Sequence, residues 1–251
     1  MIKPWHIPNN FDSYLLIKIC QCQKYRDEFI AGKFFMNTFG EIRKKENLRK
    51  GQFDENDGSE LFLQTTNNTY WRLELINNEY WSVNHAGRPI NNNYLVEASI
   101  GGGQNLEKKL FCMYTLWGDS HDKKFLPIDP KVIDEFGEYA AVVINTPVFL
   151  NRIQEKLDSL VNQMNDKPRY DFVEYVKHDK NSPAIPLGIF RKFQEEYIHQ
   201  NEFRISLDMK NIIGPFKDFS INCSDICIPV KTEELIRMNK ILISQLIFGH
   251  L

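Results

Sequence analysis

From residue 202 to 207 apolar and polar side chains alternate strictly: Phe203, Ile205 and Leu207 against Glu202, Arg204 and Ser206, with Gln200 in phase with the polar set. A strand turns successive side chains to opposite faces, so this period of two predicts a strand with an apolar face in the core. Its other face carries an acid, an amide and a guanidinium at spacings of two. Such a face is either solvated or converges on one polar ligand. Further strands are predicted at 14–20, 33–37, 110–116, 139–145 and 172–177. Residues 70–76 and 79–83 alternate on either side of Asn77 and Asn78, the turn-prone pair of a hairpin.

A longer period marks the helices. Thr146 suits an N-cap and Pro147 the first helical position, after which Phe149, Leu150, Ile153, Leu157, Leu160, Val161 and Met164 recur at helical spacing. Helices are also predicted at 24–31, stopped by Gly32, and at 41–50, 188–198 and 233–248. Residues 85–105, rich in Asn and Gly, read as loop. Strands and helices alternate without a strict βαβ rhythm. The expectation is therefore an α+β fold, a single domain over residues 1–251, with a mixed or largely antiparallel central sheet flanked by helices.

Composition narrows the classes. A chain of 251 residues with 42% hydrophobic and 25% charged residues can bury a large core. A net charge of −2 gives no general electrostatic case for nucleic acid or a membrane surface. No apolar run approaches the roughly 20 residues that span a bilayer, and the first ten residues lack the apolar core of a signal peptide. A cytoplasmic location without membrane association is expected. The five cysteines, Cys20, Cys22, Cys112, Cys223 and Cys227, then read as reduced thiols, and their spacings do not make a zinc knuckle.

Familiar catalytic motifs are missing. The acidic stretch Asp54, Glu55, Asp57 and Glu60 fails the register of a calcium loop and reads as a solvated turn, with a metal-dependent nuclease as the alternative. Gly101, Gly102 and Gly103 lack the spacing of a dinucleotide-binding loop. The scattered histidines form no zinc-hydrolase or deaminase pattern, and no metal site is expected.

Gly32, Lys33, Phe34, Phe35, Met36 and Asn37, followed by Ile42, Arg43 and Glu46, then Gly51, Asp54 and Gly58, make a pattern that resembles the N-terminal part of an uncharacterised family of bacterial and phage proteins. Phe111, Cys112, Met113 and Tyr114 look like that family's central strand, and Val143 and Ile144 through Phe149, Arg152 and Ile153 like its strand and following helix. Lys192, Tyr197, Gln200, Glu202, Phe203 and Arg204 resemble its closing block. Residue 42 is Ile where the family favours Phe, and Asp57 stands where Glu is usual.

The Q-x-E element of that block is similar to the closing motif of ADP-ribosyltransferase-like folds. The resemblance implies an enzyme that transfers ADP-ribose or cleaves NAD, with NAD as its substrate. Glu202 would be the catalytic acid and Gln200 the amide that positions the acceptor. By the same analogy Lys18 would bind phosphate, Tyr114 and Thr115 would line the nicotinamide pocket, and Arg204 would either join them or pair with an acid. A toxin or effector of phage defence, with an antitoxin or other protein partner, is the implied setting. The alternatives are a non-catalytic module that binds a nucleotide or protein, and the nuclease already mentioned.

Overall fold

Leu15, Leu16 and Ile17 form an unbroken apolar stretch with no solvent face, and the chain accordingly buries them in the middle of a sheet rather than at its edge. The computed structural model describes residues 13–44, 106–119, 124–179, 182 and 184–237, together with the strands at 61–64, 70–76, 79–85 and 97–100. In chain order the elements are β1 (Ser13–Cys20), α1 (Gln23–Ile30), β2 (Lys33–Thr38), α2 (Phe39–Lys44), β3 (Leu61–Gln64), β4 (Tyr70–Ile76), β5 (Glu79–His85) and β6 (Glu97–Ile100). They continue with β7 (Lys109–Asp119), β8 (Lys124–Phe125), α3 (Lys131–Phe136), β9 (Tyr139–Val143), α4 (Thr146–Leu160), β10 (Arg169–Phe172) and β11 (Glu174–Val176). The last are β12 (Ala184–Pro186), β13 (Arg191–Phe193), α5 (Gln194–Tyr197), β14 (Glu202–Leu207), β15 (Phe216–Ser220), β16 (Cys227–Lys231) and α6 (Thr232–Arg237).

The main sheet runs β10-β14-β7-β1-β9-β16, with β2, β15 and β8 attached through β7. All its pairings are antiparallel. This is the expected α+β fold with a largely antiparallel sheet. Residues opposite one another in an antiparallel pair share a face, so the register sorts the core into two layers. On one face Leu16, Phe111, Met113, Val143, Phe203, Ile205 and Leu207 pack under α1, α4 and the β2–β15 pair, through Phe29, Phe149, Ile153, Phe34 and Phe219 among others. On the other, Leu15, Ile17, Tyr114, Leu116 and Val142 meet Val132 of α3 and Leu235 of α6.

Local chemistry accounts for most boundaries. Gly32 follows α1 at φ +83°, the left-handed conformation expected of a helix stop. The helix α4 starts one residue earlier than the sequence suggested: Asn145 is its N-cap, its side chain accepting the Val148 amide, and Pro147 sits in the first turn. The hairpin is present, with Tyr70–Ile76 antiparallel to Glu79–His85 and Ile76 opposite Glu79.

Three expectations are corrected. Residues 188–198 do not form one helix but a short strand, β13, and the single turn α5, because Arg191, Lys192 and Phe193 pair in parallel with Glu174, Tyr175 and Val176. The predicted strand at 172–177 is split at Val173 between two sheets. Within 85–105, residues 97–100 are strand, paired with β3. The acidic turn at Asp54–Glu60, Gly101–Gly103 and the stretch after Arg237 lie outside the described residues. All five cysteines are free thiols.

Candidate functional site

Asn201 prepares the start of β14. It sits at φ +40°, a left-handed conformation that Asn tolerates better than most residues. Its carbonyl accepts the Thr115 amide at 2.7 Å and its side-chain amide reaches the Tyr114 hydroxyl at 3.3 Å. The chain then enters β14 with Glu202 opposite Tyr114 and Arg204 opposite Cys112. The apolar face behaves as the alternation requires, with Phe203 at 1% exposure and Ile205 and Leu207 at 0%.

The polar face is not solvated. Every residue of β14 is buried, Glu202 at 8% exposure and Arg204 at 0%. Buried charges persist only when paired and hydrogen-bonded, and here they are. Arg204 donates to the Glu202 carboxylate at 3.0 Å and to the Ile189 carbonyl. Lys192 Nζ stands 3.1 Å from the same carboxylate and donates to Gln200 Oε1 at 2.9 Å. The Gln200 amide nitrogen in turn donates to Glu135 of α3 at 3.0 Å, whose other oxygen meets His199 Nε2 at 2.8 Å. Tyr175 accepts the Glu202 backbone amide at 2.9 Å, and the Cys112 thiol donates to the Glu202 carboxylate.

The titration of these groups follows from their surroundings. Burial raises the Glu202 carboxyl, but the Arg204 and Lys192 charges and their hydrogen bonds outweigh it and hold the group well below the usual carboxylate range. Burial, with the Glu202 charge behind it, pushes the Tyr175 hydroxyl and the Cys112 thiol well above their ordinary values. Burial also raises Tyr114.

A cleft of about 610 Å³ adjoins this network. Its lining combines aromatic rings (Trp117, Phe172, Tyr175, Phe190) with Arg169 and Arg191, and with Asp171, Glu174 and Glu202. Trp117 and Phe172 pack as a tilted pair, 4.9 Å between centroids and 38° between planes. Arg191 pairs with Glu174 at 2.6 Å. The segment 187–191 is held on both flanks, since Glu174 N donates to Phe190 O while Arg204 donates to Ile189 O. Glu202 thus has two places at once, in the buried network and against the cleft, while Arg204 stands behind it and holds the Ile189 carbonyl of the cleft wall.

Of the residues expected to form a site, Glu202, Gln200, Tyr114 and Arg204 come together on one side of the sheet. Glu202 alone among them lines the cleft. Lys18 and Thr115 do not join them. Ile17 is opposite Tyr114 and Leu16 opposite Thr115, so Lys18 and Thr115 point to the α1–α4 face. There Lys18 Nζ donates to the Cys112 carbonyl at 2.7 Å and lies 4.2 Å from the Phe111 ring centroid. Tyr114 and Thr115 are neighbours in one strand, so both cannot line one pocket. Thr115 Oγ1 is buried without a hydrogen-bond partner.

The sequence had not singled out Glu135, Tyr175, Trp117, Arg169 or Arg191. Lys192 was present in the closing block, and that block proves to be one physical unit: Lys192 contacts the Tyr197 ring, Gln200 and Glu202, and Glu202 contacts Arg204. Among the described residues, no group of three or more His, Cys, Asp or Glu side chains is placed to hold a metal ion. No described helix is long and apolar enough to cross a membrane. Comparison with family models, curated proteins and solved structures returns no match to the chain.

Proposed function

We propose that the cleft beside β10 and the start of β14 binds a nucleotide. The lining carries this reading: aromatic side chains, the kind of group that packs on a base, and guanidinium groups suited to phosphate border one space of about 610 Å³. That volume lies within the roughly 300–1,000 Å³ usual for a small-molecule site. Most of the buried polar groups behind the cleft are already satisfied by one another, so their role in this reading is to fix its wall. The chain is then a nucleotide-binding module. Titration with AMP, ADP-ribose and NAD, followed by tryptophan fluorescence, tests it. A saturable change that disappears in Trp117→Phe supports the reading, and no saturable change with any of the three removes it.

Glu202 lining the cleft favours a second reading, NAD cleavage or ADP-ribosyl transfer. In that chemistry the ribose–nicotinamide C–N bond breaks, nicotinamide leaves with the bonding pair, and water or an acceptor adds to the ribosyl cation and releases a proton to solvent. An ionised carboxylate stabilises the positive charge that develops. Lys192 and Arg204 offset that charge at rest, which weakens the field it can offer a ribosyl cation. Nicotinamide release measured by chromatography decides: loss of release in Glu202→Gln, with nucleotide binding retained, supports the enzyme, whereas equal release from both proteins sinks it. The likeness to phage proteins is the support for a toxin or defence role.

A further inference from the structure

We infer that Arg169 is the phosphate anchor of the cleft and that the occupant is a nucleoside phosphate; this rests on the nucleotide reading and names the group that recognises the phosphate. Arg169 opens β10 and stands exposed on the cleft lining. Its guanidinium carbon lies 4.9 Å from the centroid of the Phe190 ring. The contact with the ring uses no hydrogen-bond acceptor, so the N–H donors of the guanidinium are left for two parallel bonds to phosphate oxygens.

The carboxylates around the cleft do not compete for it. Glu174 is held by Arg191 at 2.6 Å and Glu202 by Lys192 and Arg204, while Asp171, whose carboxylate accepts the Phe172 amide at 2.8 Å, is not within ion-pair distance of Arg169. Among the described residues, no carboxylate forms an ion pair with Arg169. The other candidate cations are engaged elsewhere: Arg191 with Glu174, Lys192 and Arg204 with Glu202, and Lys18 on the opposite face of the sheet. Beside Phe190, Gly188 adopts φ +144°, a conformation reserved for glycine, and a Cβ built there meets nothing within 4 Å. That part of the wall is bare backbone beside open space. A base has the aromatic rings, a phosphate has Arg169, and the ligand class that carries both groups is a nucleoside phosphate.

Calorimetric titration of the full chain with AMP, adenosine and inorganic phosphate, on the wild type and on Arg169→Gln, tests the assignment. AMP should bind about 10-fold or more tightly than adenosine, the gain expected of a charge-assisted hydrogen bond. Arg169→Gln should bring AMP down to the level of adenosine and leave adenosine unchanged, with Arg169→Lys recovering part of the difference. AMP and adenosine binding alike to the wild type, or falling equally in Arg169→Gln, overturns the anchor while leaving the nucleotide reading in place. Inorganic phosphate binding as tightly as AMP overturns the nucleoside part. No binding of AMP, adenosine, ADP-ribose or NAD overturns the nucleotide reading itself, and the anchor with it.

Discussion

At the scale of single residues the decisive pair is Glu202 and Arg204. Removing one partner of a buried ion pair strands the other charge, which typically costs about 3–5 kcal/mol. Arg204→Met should therefore destabilise strongly in urea unfolding, and Glu202→Gln should too, since it leaves Lys192 and Arg204 facing each other near a neutral amide. The double variant should cost less than the sum of the two single changes, with Lys192 the charge that it still leaves facing an amide. Additive single effects would mean that the two side chains do not stabilise one another. The same pair sets an acid response. Because the folded Glu202 carboxyl sits below its unfolded value, its contribution is complete above about pH 4.3 and declines as pH falls below that point. The stability gap between wild type and Glu202→Gln should thus be constant from pH 7 to 5 and shrink on further acidification; a gap that widens in acid contradicts the assignment.

At the scale of elements, what the sequence made legible was local. The period of two at 202–207 and the helical period after Thr146 each located an element, because burial on one face leaves its mark in the residues themselves. Phe203→Ala should accordingly cost about 3–5 kcal/mol. Asn145→Ala should cost about 1 kcal/mol through loss of the cap. Both are read from unfolding midpoints. What the sequence did not make legible was partnership. Periodicity shows that Lys18 and Glu202 are in strands but not that their faces are opposed, which is a matter of register between strands. Nor does it show that Arg191–Phe193, inside a stretch that reads as a helix over 188–198, will pair with Glu174–Val176. Glu135 reaches Gln200 from 65 residues away, a contact without local signature. Gly32 illustrates the converse. Its turn was legible, yet the tightness of its site was not: a Cβ there would fall 1.7 Å from the Ile221 carbonyl oxygen. Gly32→Ala should lower the melting temperature through both strain and displacement of β15, whose Ser220 pairs with Lys33.

At the scale of the whole molecule, consider the order in which the sheet must be assembled. The strand β1 has β7 and β9 as its neighbours, so Leu15, Leu16 and Ile17 find their partners only after the segments around Tyr114 and Val142 exist. A ribosome adding about 5–20 residues per second needs roughly 5–20 s to cover the first of those intervals. Throughout that time a strongly apolar strand has emerged with neither edge covered, the condition under which nascent chains aggregate or recruit chaperones. The position of β1 at the centre of the finished sheet makes it a segment that needs protection during synthesis.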